Sequence, residues 1–196
     1  FAIVFAMPQT LGVLAAPESD AQRSSRQAMV LDIEQAKFGR SPVKNETVLK
    51  AMRKVERHRF VPDDVKRMAY ADRPLPIGYG QTISQPYIVG YMTELLRLEP
   101  EHKVLEIGTG SGFLTACLAA LGGVVTSYEI RTALSEAAAE RLRTLQVQNV
   151  ELVAGDEFPV ARVDAFARAA GSMLEHRFGH VFGRNLDLFA GVCVDD

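Results

Sequence analysis

The stretch Lys103-Val-Leu-Glu-Ile-Gly-Thr-Gly-Ser-Gly-Phe113 decides how this chain is read. Lys103 to Ile107 is a short apolar run of strand length, and Phe113 to Leu121 is an apolar helical run. Between them stand Gly108, Gly110 and Gly112, a turn that can take left-handed backbone conformations and let a ligand come close. Downstream, Val124 to Glu129 reads as a second strand and Arg131 to Leu145 as an Ala-, Glu- and Arg-rich helix. Val150 to Ala154 reads as a third strand before Gly155-Asp156. Strands alternating with helices imply parallel pairing through right-handed crossovers, so the predicted fold is α/β, a doubly wound Rossmann-like sheet.

In open sheets of this kind ligands bind beyond the carboxyl ends of the strands. The glycine turn and Glu129 therefore fall in one crevice, and an acidic residue about twenty positions after such a turn can accept hydrogen bonds from both ribose hydroxyls. The dinucleotide fingerprint needs its third glycine where Phe113 stands, and no Gly-Lys-Ser/Thr follows, so neither pyrophosphate motif is present. Glu106, two places before the first glycine, suits a ligand with an ammonium group better than a pyrophosphate. A tight turn without a ligand would use the same glycines; Glu129 at the end of the next strand weighs toward a ligand site.

Upstream, Glu46 to Val55 places Val48, Leu49, Met52 and Val55 on one helical face. The segment Arg73-Pro-Leu-Pro-Ile-Gly-Tyr-Gly-Gln-Thr-Ile-Ser-Gln-Pro86 is too long and too rich in breakers for a hairpin turn, and reads as an ordered functional loop. A helix from Pro86 to Leu98 follows, with Pro86 in its first turn. Ser84 or Gln85 then sits at its N-terminus, where backbone N–H groups are free. No G-x-S-x-G elbow surrounds Ser84, so it is not an acyl-forming nucleophile; as far as spacing goes, it caps the helix.

The whole chain has 196 residues, 47% hydrophobic and 23% charged, with a net charge of −2. These proportions exclude a disordered or fibrous chain, and the near-neutral charge gives no electrostatic case for nucleic acid or an anionic membrane as partner. Residues 1–28 read as a leader: Phe1 to Pro17 carries no charged side chain, and a polar stretch from Glu18 to Arg26 follows. It is too short and interrupted for a membrane span, and no basic region precedes it. The expected compartment is the cytoplasm, with export to the periplasm as the alternative if residues 1–17 are a signal remnant. Residues 157–196 form a divergent tail, with a helix expected over 161–178 and a short strand over 186–194. His176 and His180 have metal-ligand spacing but no third ligand, so no metal is expected. Cys117 reads as core, and His58 and His102 as surface or loop residues.

Glu106-Ile-Gly-Thr-Gly-Ser-Gly112 resembles motif I of class I S-adenosylmethionine-dependent methyltransferases. Ala69-Tyr-Ala-Asp-Arg-Pro-Leu-Pro-Ile-Gly-Tyr-Gly-Gln-Thr-Ile-Ser-Gln-Pro-Tyr-Ile-Val89, with Val104 to Gly112, narrows the resemblance to the protein-L-isoaspartate O-methyltransferase family. Val48 to Val55 and Arg57-His58, then Phe60-Val-Pro62, are similar to the same family, and the likeness runs from about 29 to 156. The resemblance implies methyl transfer from S-adenosyl-L-methionine to the free carboxylate of L-isoaspartyl, and less well D-aspartyl, residues, followed by collapse of the ester to a succinimide. It implies isoaspartyl-containing peptides and proteins as partners; the expected state is a monomer. By the same resemblance Ser84 is the active-site serine, and Thr82 and Ile83 shape the peptide groove. Gly108, Thr109, Gly110, Ser111 and Gly112 hold the cofactor, Glu106 orders the turn and the methionine end, Glu129 takes the ribose and Asp156 lies near the adenine.

After Asp156 the likeness stops: Glu157 stands where the family has glycine, and neither its Val-Thr-Ala-Ala segment nor its Pro-Gly-Gly turn follows. The expectation is a methyltransferase sheet whose C-terminal strands are lacking or replaced, with an unpaired edge. A methyltransferase with another acceptor, and a non-catalytic fragment that retains cofactor binding, remain alternatives.

Overall fold

A computed structural model describes residues 17–35, 39–155 and 191–195 of the chain. Helix α1, Asp20–Glu34, opens on a capping box: the Ser19 hydroxyl accepts from the Gln22 N–H at 3.3 Å, and Gln22 Oε1 accepts from the Ser19 N–H at 3.0 Å. Arg26 then bridges back to Glu18 at 2.6 Å and donates to the Lys54 carbonyl at 3.1 Å. The boundary drawn at residue 28 thus falls inside α1. The polar run up to Arg26 is the first half of that helix, whose buried residues, Met29, Val30 and Ile33, come only after it.

Helix α2, Glu46–Lys54, is capped by Asn45 Oδ1, which accepts from the N–H groups of Thr47 and Val48. It buries Val48, Leu49, Ala51 and Met52. Helix α3, Pro86–Leu96, crosses it closely at Gly90, where an added Cβ would lie 2.8 Å from Met52 Sδ. Two 3₁₀ helices, Arg57–Phe60 and Asp63–Met68, connect α2 to the next segment.

The segment read as a loop is a small antiparallel hairpin. Strand β1, Leu75–Gly78, pairs with β2, Gln81–Ile83, placing Leu75 opposite Ile83. Tyr79 and Gly80 close it with φ of 53° and 71°, the left-handed pair whose twist suits a two-residue hairpin turn. The signal was hidden because a tyrosine occupies a position where Asn or Asp usually announces this turn.

The main sheet has the order β5-β4-β3-β6. Strands β3, Lys103–Ile107, β4, Val124–Glu129, and β5, Val150–Ala154, run parallel, with Val104 beside Val125 and Val125 beside Val150. Helices α4, Phe113–Ala119, and α5, Thr132–Thr144, make the crossovers. Strand β6, Gly191–Asp195, pairs antiparallel with β3, with Cys193 opposite Leu105. The edge of β3 is therefore paired, where an open edge was expected. The strand expected over 186–194 is observed at Gly191–Asp195, while the helix expected over 161–178, His176 and His180 lie outside the described residues. Buried side chains of α1, α2, α3 and the hairpin join Phe113, Cys117, Leu134 and Leu142 in one core. Among the described residues no helix is long and apolar enough to cross a membrane.

Candidate functional site

The carboxyl ends of β3 and β4 and the hairpin enclose a cavity of about 740 Å³, within the roughly 300–1,000 Å³ usual for small-molecule sites. The glycine turn forms its floor. Gly108 and Thr109 donate to the Tyr128 carbonyl at 2.7 and 3.2 Å, which pins the turn to the end of β4. Gly112 stands at φ 84°, a left-handed conformation that strains any side chain, and packs against α5, where an added Cβ would touch that of Ala138 at 3.4 Å. Thr109 Oγ1 and Ser127 Oγ share a buried hydrogen bond of 2.6 Å, a second tie between turn and β4. The Ser111 hydroxyl accepts from the Phe113 N–H at 3.3 Å, at the start of α4.

Glu129 ends β4 with its carboxylate turned to this turn. Oε2 accepts from the Gly110 N–H at 2.8 Å and Oε1 from the Arg131 N–H at 2.9 Å. A carboxylate has about four acceptor sites, so each oxygen can still receive a hydroxyl. Glu106, on β3, lines the same cavity yet is fully buried. Its Oε2 accepts from Thr115 Oγ1 at 2.5 Å, while Oε1 has no hydrogen-bond partner; the neighbouring Ser127 hydroxyl is engaged with Thr109. Burial pushes the Glu106 carboxyl up to about 7, with a smaller push from Glu129, against the Ser127 and Thr115 hydroxyls, which favour the charged form. A buried carboxylate oxygen left without a donor fits a ligand that brings one, above all an ammonium group.

Opposite the turn, Thr82, Ile83 and Ser84 line the cavity wall, with Thr82 and Ser84 exposed and Ile83 buried. Of the two residues placed at the start of α3, Gln85 is the one that flanks it, and it makes no side-chain cap, so the cap that spacing gives to Ser84 is not formed. The helix N-terminus is not free either: Pro86 has no N–H, and the Tyr87 N–H donates to Asp72 Oδ1 at 2.8 Å. Asp72 also accepts at Oδ2 from Gln85 Nε2 at 3.0 Å and pairs there with Arg40 Nη1 at 2.7 Å.

Sequence reasoning passed over Asp72, Arg40, Thr115 and Ser127, whose partners are distant along the chain. It also passed over the role of Arg57, a fully buried cation that donates from Nε to the Ala69 carbonyl at 2.8 Å and lies 4.8 Å over the Phe113 ring. Desolvation lowers it to about 10, so it remains charged at neutral pH. His58, read as a surface or loop residue, is buried in the first 3₁₀ helix with Nδ1 2.8 Å from the Tyr70 hydroxyl, and desolvation lowers its pKa. Cys117 lies in the core, its thiol pushed up by burial. Asp156 lies outside the described residues.

The family described as protein-L-isoaspartate(D-aspartate) O-methyltransferase matches residues 25–159. The chain belongs to this family. Among curated relatives, a protein-L-isoaspartate O-methyltransferase of Opitutus terrae is 51% identical over 134 residues, covering 66% of this chain and 58% of the relative. One from Methanoculleus marisnigri is 45% identical over 159 residues, covering 79% of this chain and 70% of the relative. A solved protein-L-isoaspartate O-methyltransferase superposes with a TM-score of 0.60 at 26% identity, over 67% of this chain and 42% of that one. A Plasmodium falciparum structure of the same description, in complex with S-adenosyl-L-homocysteine, gives a TM-score of 0.55 at 21% identity over 65% and 62%, a likeness of fold. The chain spans little more than half the length of the first curated relatives it matches. The matched span begins inside α1 and takes in α2 to α5, the hairpin and the three parallel strands; β6 lies beyond it.

Proposed function

We propose that this chain transfers a methyl group from S-adenosyl-L-methionine to the free carboxylate of L-isoaspartyl, and less well D-aspartyl, residues in peptides and proteins. The observation that carries the reading is a single cavity bounded on one side by the Gly108–Gly112 turn with Glu106 and Glu129, and on the other by Thr82, Ile83 and Ser84. The donor supplies a methyl group on a sulfonium sulfur that leaves as a neutral thioether. Glu129 accepts the ribose hydroxyls on its remaining lone pairs, and the unpartnered Oε1 of Glu106 receives the ammonium end. Asp156, next after Gly155, is the acid assigned to the adenine side.

The acceptor is a carboxylate already ionised at neutral pH, so no strong general base is required of the chain. Its task is alignment, where oriented reactants gain effective molarities of roughly 10⁵–10⁸ M. Ser84, exposed on the cavity wall at the β2–α3 joint, donates its hydroxyl to the acceptor carboxylate, and the buried Ile83 anchors that joint beneath it. Incubation with labelled S-adenosyl-L-methionine and a synthetic isoaspartyl peptide, beside its aspartyl counterpart, tests the reading. Transfer to the isoaspartyl peptide alone is expected; no transfer at saturating peptide would refute it.

A further inference from the structure

The joint that carries Ser84 is held from outside the cavity. Asp72 and Arg40 do not line the cavity, yet Asp72 binds both residues that flank Pro86. Its Oδ1 accepts from the Tyr87 N–H at 2.8 Å, its Oδ2 from Gln85 Nε2 at 3.0 Å, and its own carbonyl from Gln85 Nε2 at 3.1 Å. Arg40 Nη1 bridges to Oδ2 at 2.7 Å and the guanidinium lies 4.1 Å over the Tyr87 ring, whose hydroxyl donates to the Ser41 carbonyl at 3.0 Å. The Asp72 side chain is only 21% exposed. Its carboxylate occupies the position that helix α3 and Arg40 would together offer to any anion.

The acceptor in the proposed reaction is itself a carboxylate. With Asp72 absent, α3 and Arg40 would present a competing carboxylate site close to Ser84 and outside the cavity. We propose that Asp72 is a positioning residue: held by Arg40, it fills the anion position at the N-terminus of α3, which both fixes the Ser84 joint and denies that position to the substrate. The inference rests on the functional reading above.

The kinetic signature separates this role from simple loosening of the fold. In Asp72→Ala a peptide carboxylate captured at the vacated position is bound unproductively, so kcat and KM for the isoaspartyl peptide fall together. A fall in kcat of about ten- to a hundredfold is expected, the usual cost of small misplacement of reacting groups. Formate refills the position: it raises kcat and KM back toward the parent values, and raises the melting temperature of Asp72→Ala saturably without affecting the unaltered protein. S-adenosyl-L-homocysteine affinity stays unchanged. Asp72→Asn fills the space and keeps an acceptor for Tyr87 but loses the charge opposite Arg40, so its kcat drops less and formate does not rescue it. Parent values of kcat and KM in Asp72→Ala, or in Asp72→Asn if the alanine variant does not fold, would overturn the proposal. So would a melting temperature of Asp72→Ala indifferent to formate. Absence of transfer by the unaltered protein would sink the functional reading instead, and formate binding to Asp72→Ala would then decide the place of Asp72 by itself.

Discussion

Replacing Glu106 by glutamine should reshape how stability depends on pH. In the unfolded chain this carboxyl ionises near its ordinary 4.5, whereas burial raises it to about 7 in the folded protein. Below 4.5 both states hold the proton and burial of the acid carries no pH-dependent penalty. Between 4.5 and about 7 the folded state keeps a proton that the unfolded state has released, so stability falls as pH rises. Above about 7 both are ionised and the loss is complete. At about 1.4 kcal/mol for each factor of ten, the full loss is about 3 kcal/mol, most of which falls between pH 5 and pH 8. Glu106→Gln keeps the shape and an acceptor for Thr115 but cannot titrate. The amide pays a fixed cost of about 1–3 kcal/mol if its N–H₂ finds no partner. Urea unfolding of both proteins across that pH range isolates the effect, because all other titrating groups cancel in the difference. The variant should gain roughly 2–3 kcal/mol on the parent from pH 5 to pH 8, whatever its starting offset. A difference that stays constant with pH would refute the reasoning. With saturating S-adenosyl-L-homocysteine the parent should become less sensitive to pH, since an ammonium group at Oε1 favours the ionised form.

Glu129→Ala removes the acceptor for the Gly110 and Arg131 N–H groups as well as the proposed ribose contact. Calorimetry should find S-adenosyl-L-homocysteine binding weakened by about 1.5–3 kcal/mol, and unchanged affinity would mean that the ribose lies elsewhere. Gly112→Ala places a Cβ at φ 84° and 3.4 Å from that of Ala138. It should lower stability by about 1–2 kcal/mol in urea unfolding; a stability equal to the parent's would show that the turn relaxes freely.

Strands β3, β4 and β5 coincide with the runs read from the sequence, because each is a short run rich in β-branched and other apolar residues that ends at a glycine or a charge. The helices agree to within a turn at their ends, where capping rather than periodicity sets the boundary. The hairpin was missed because its turn runs through Tyr79, whose φ of 53° no local pattern announces. The start of α1 was read as leader because its first turns are polar and its buried residues come late. Strand β6 could not be given its neighbour from five residues, since nothing in Gly191–Asp195 specifies β3 as partner or the antiparallel direction.

Local composition by itself thus determined the glycine turn, the acid at the end of the next strand and the order of strands and helices, all of which depend on neighbours within a few residues or one crossover. Only the tertiary structure decided the electrostatic state of the site. Glu106 is a carboxyl near neutrality rather than an ordinary acid because the packed sheet removes it from water. The N-terminus of α3 is closed rather than open because Asp72 and Arg40, from separate parts of the chain, meet there. Burial and long-range pairing are properties of the packed chain, and they set charge and hydrogen-bond capacity in ways that residue type does not encode.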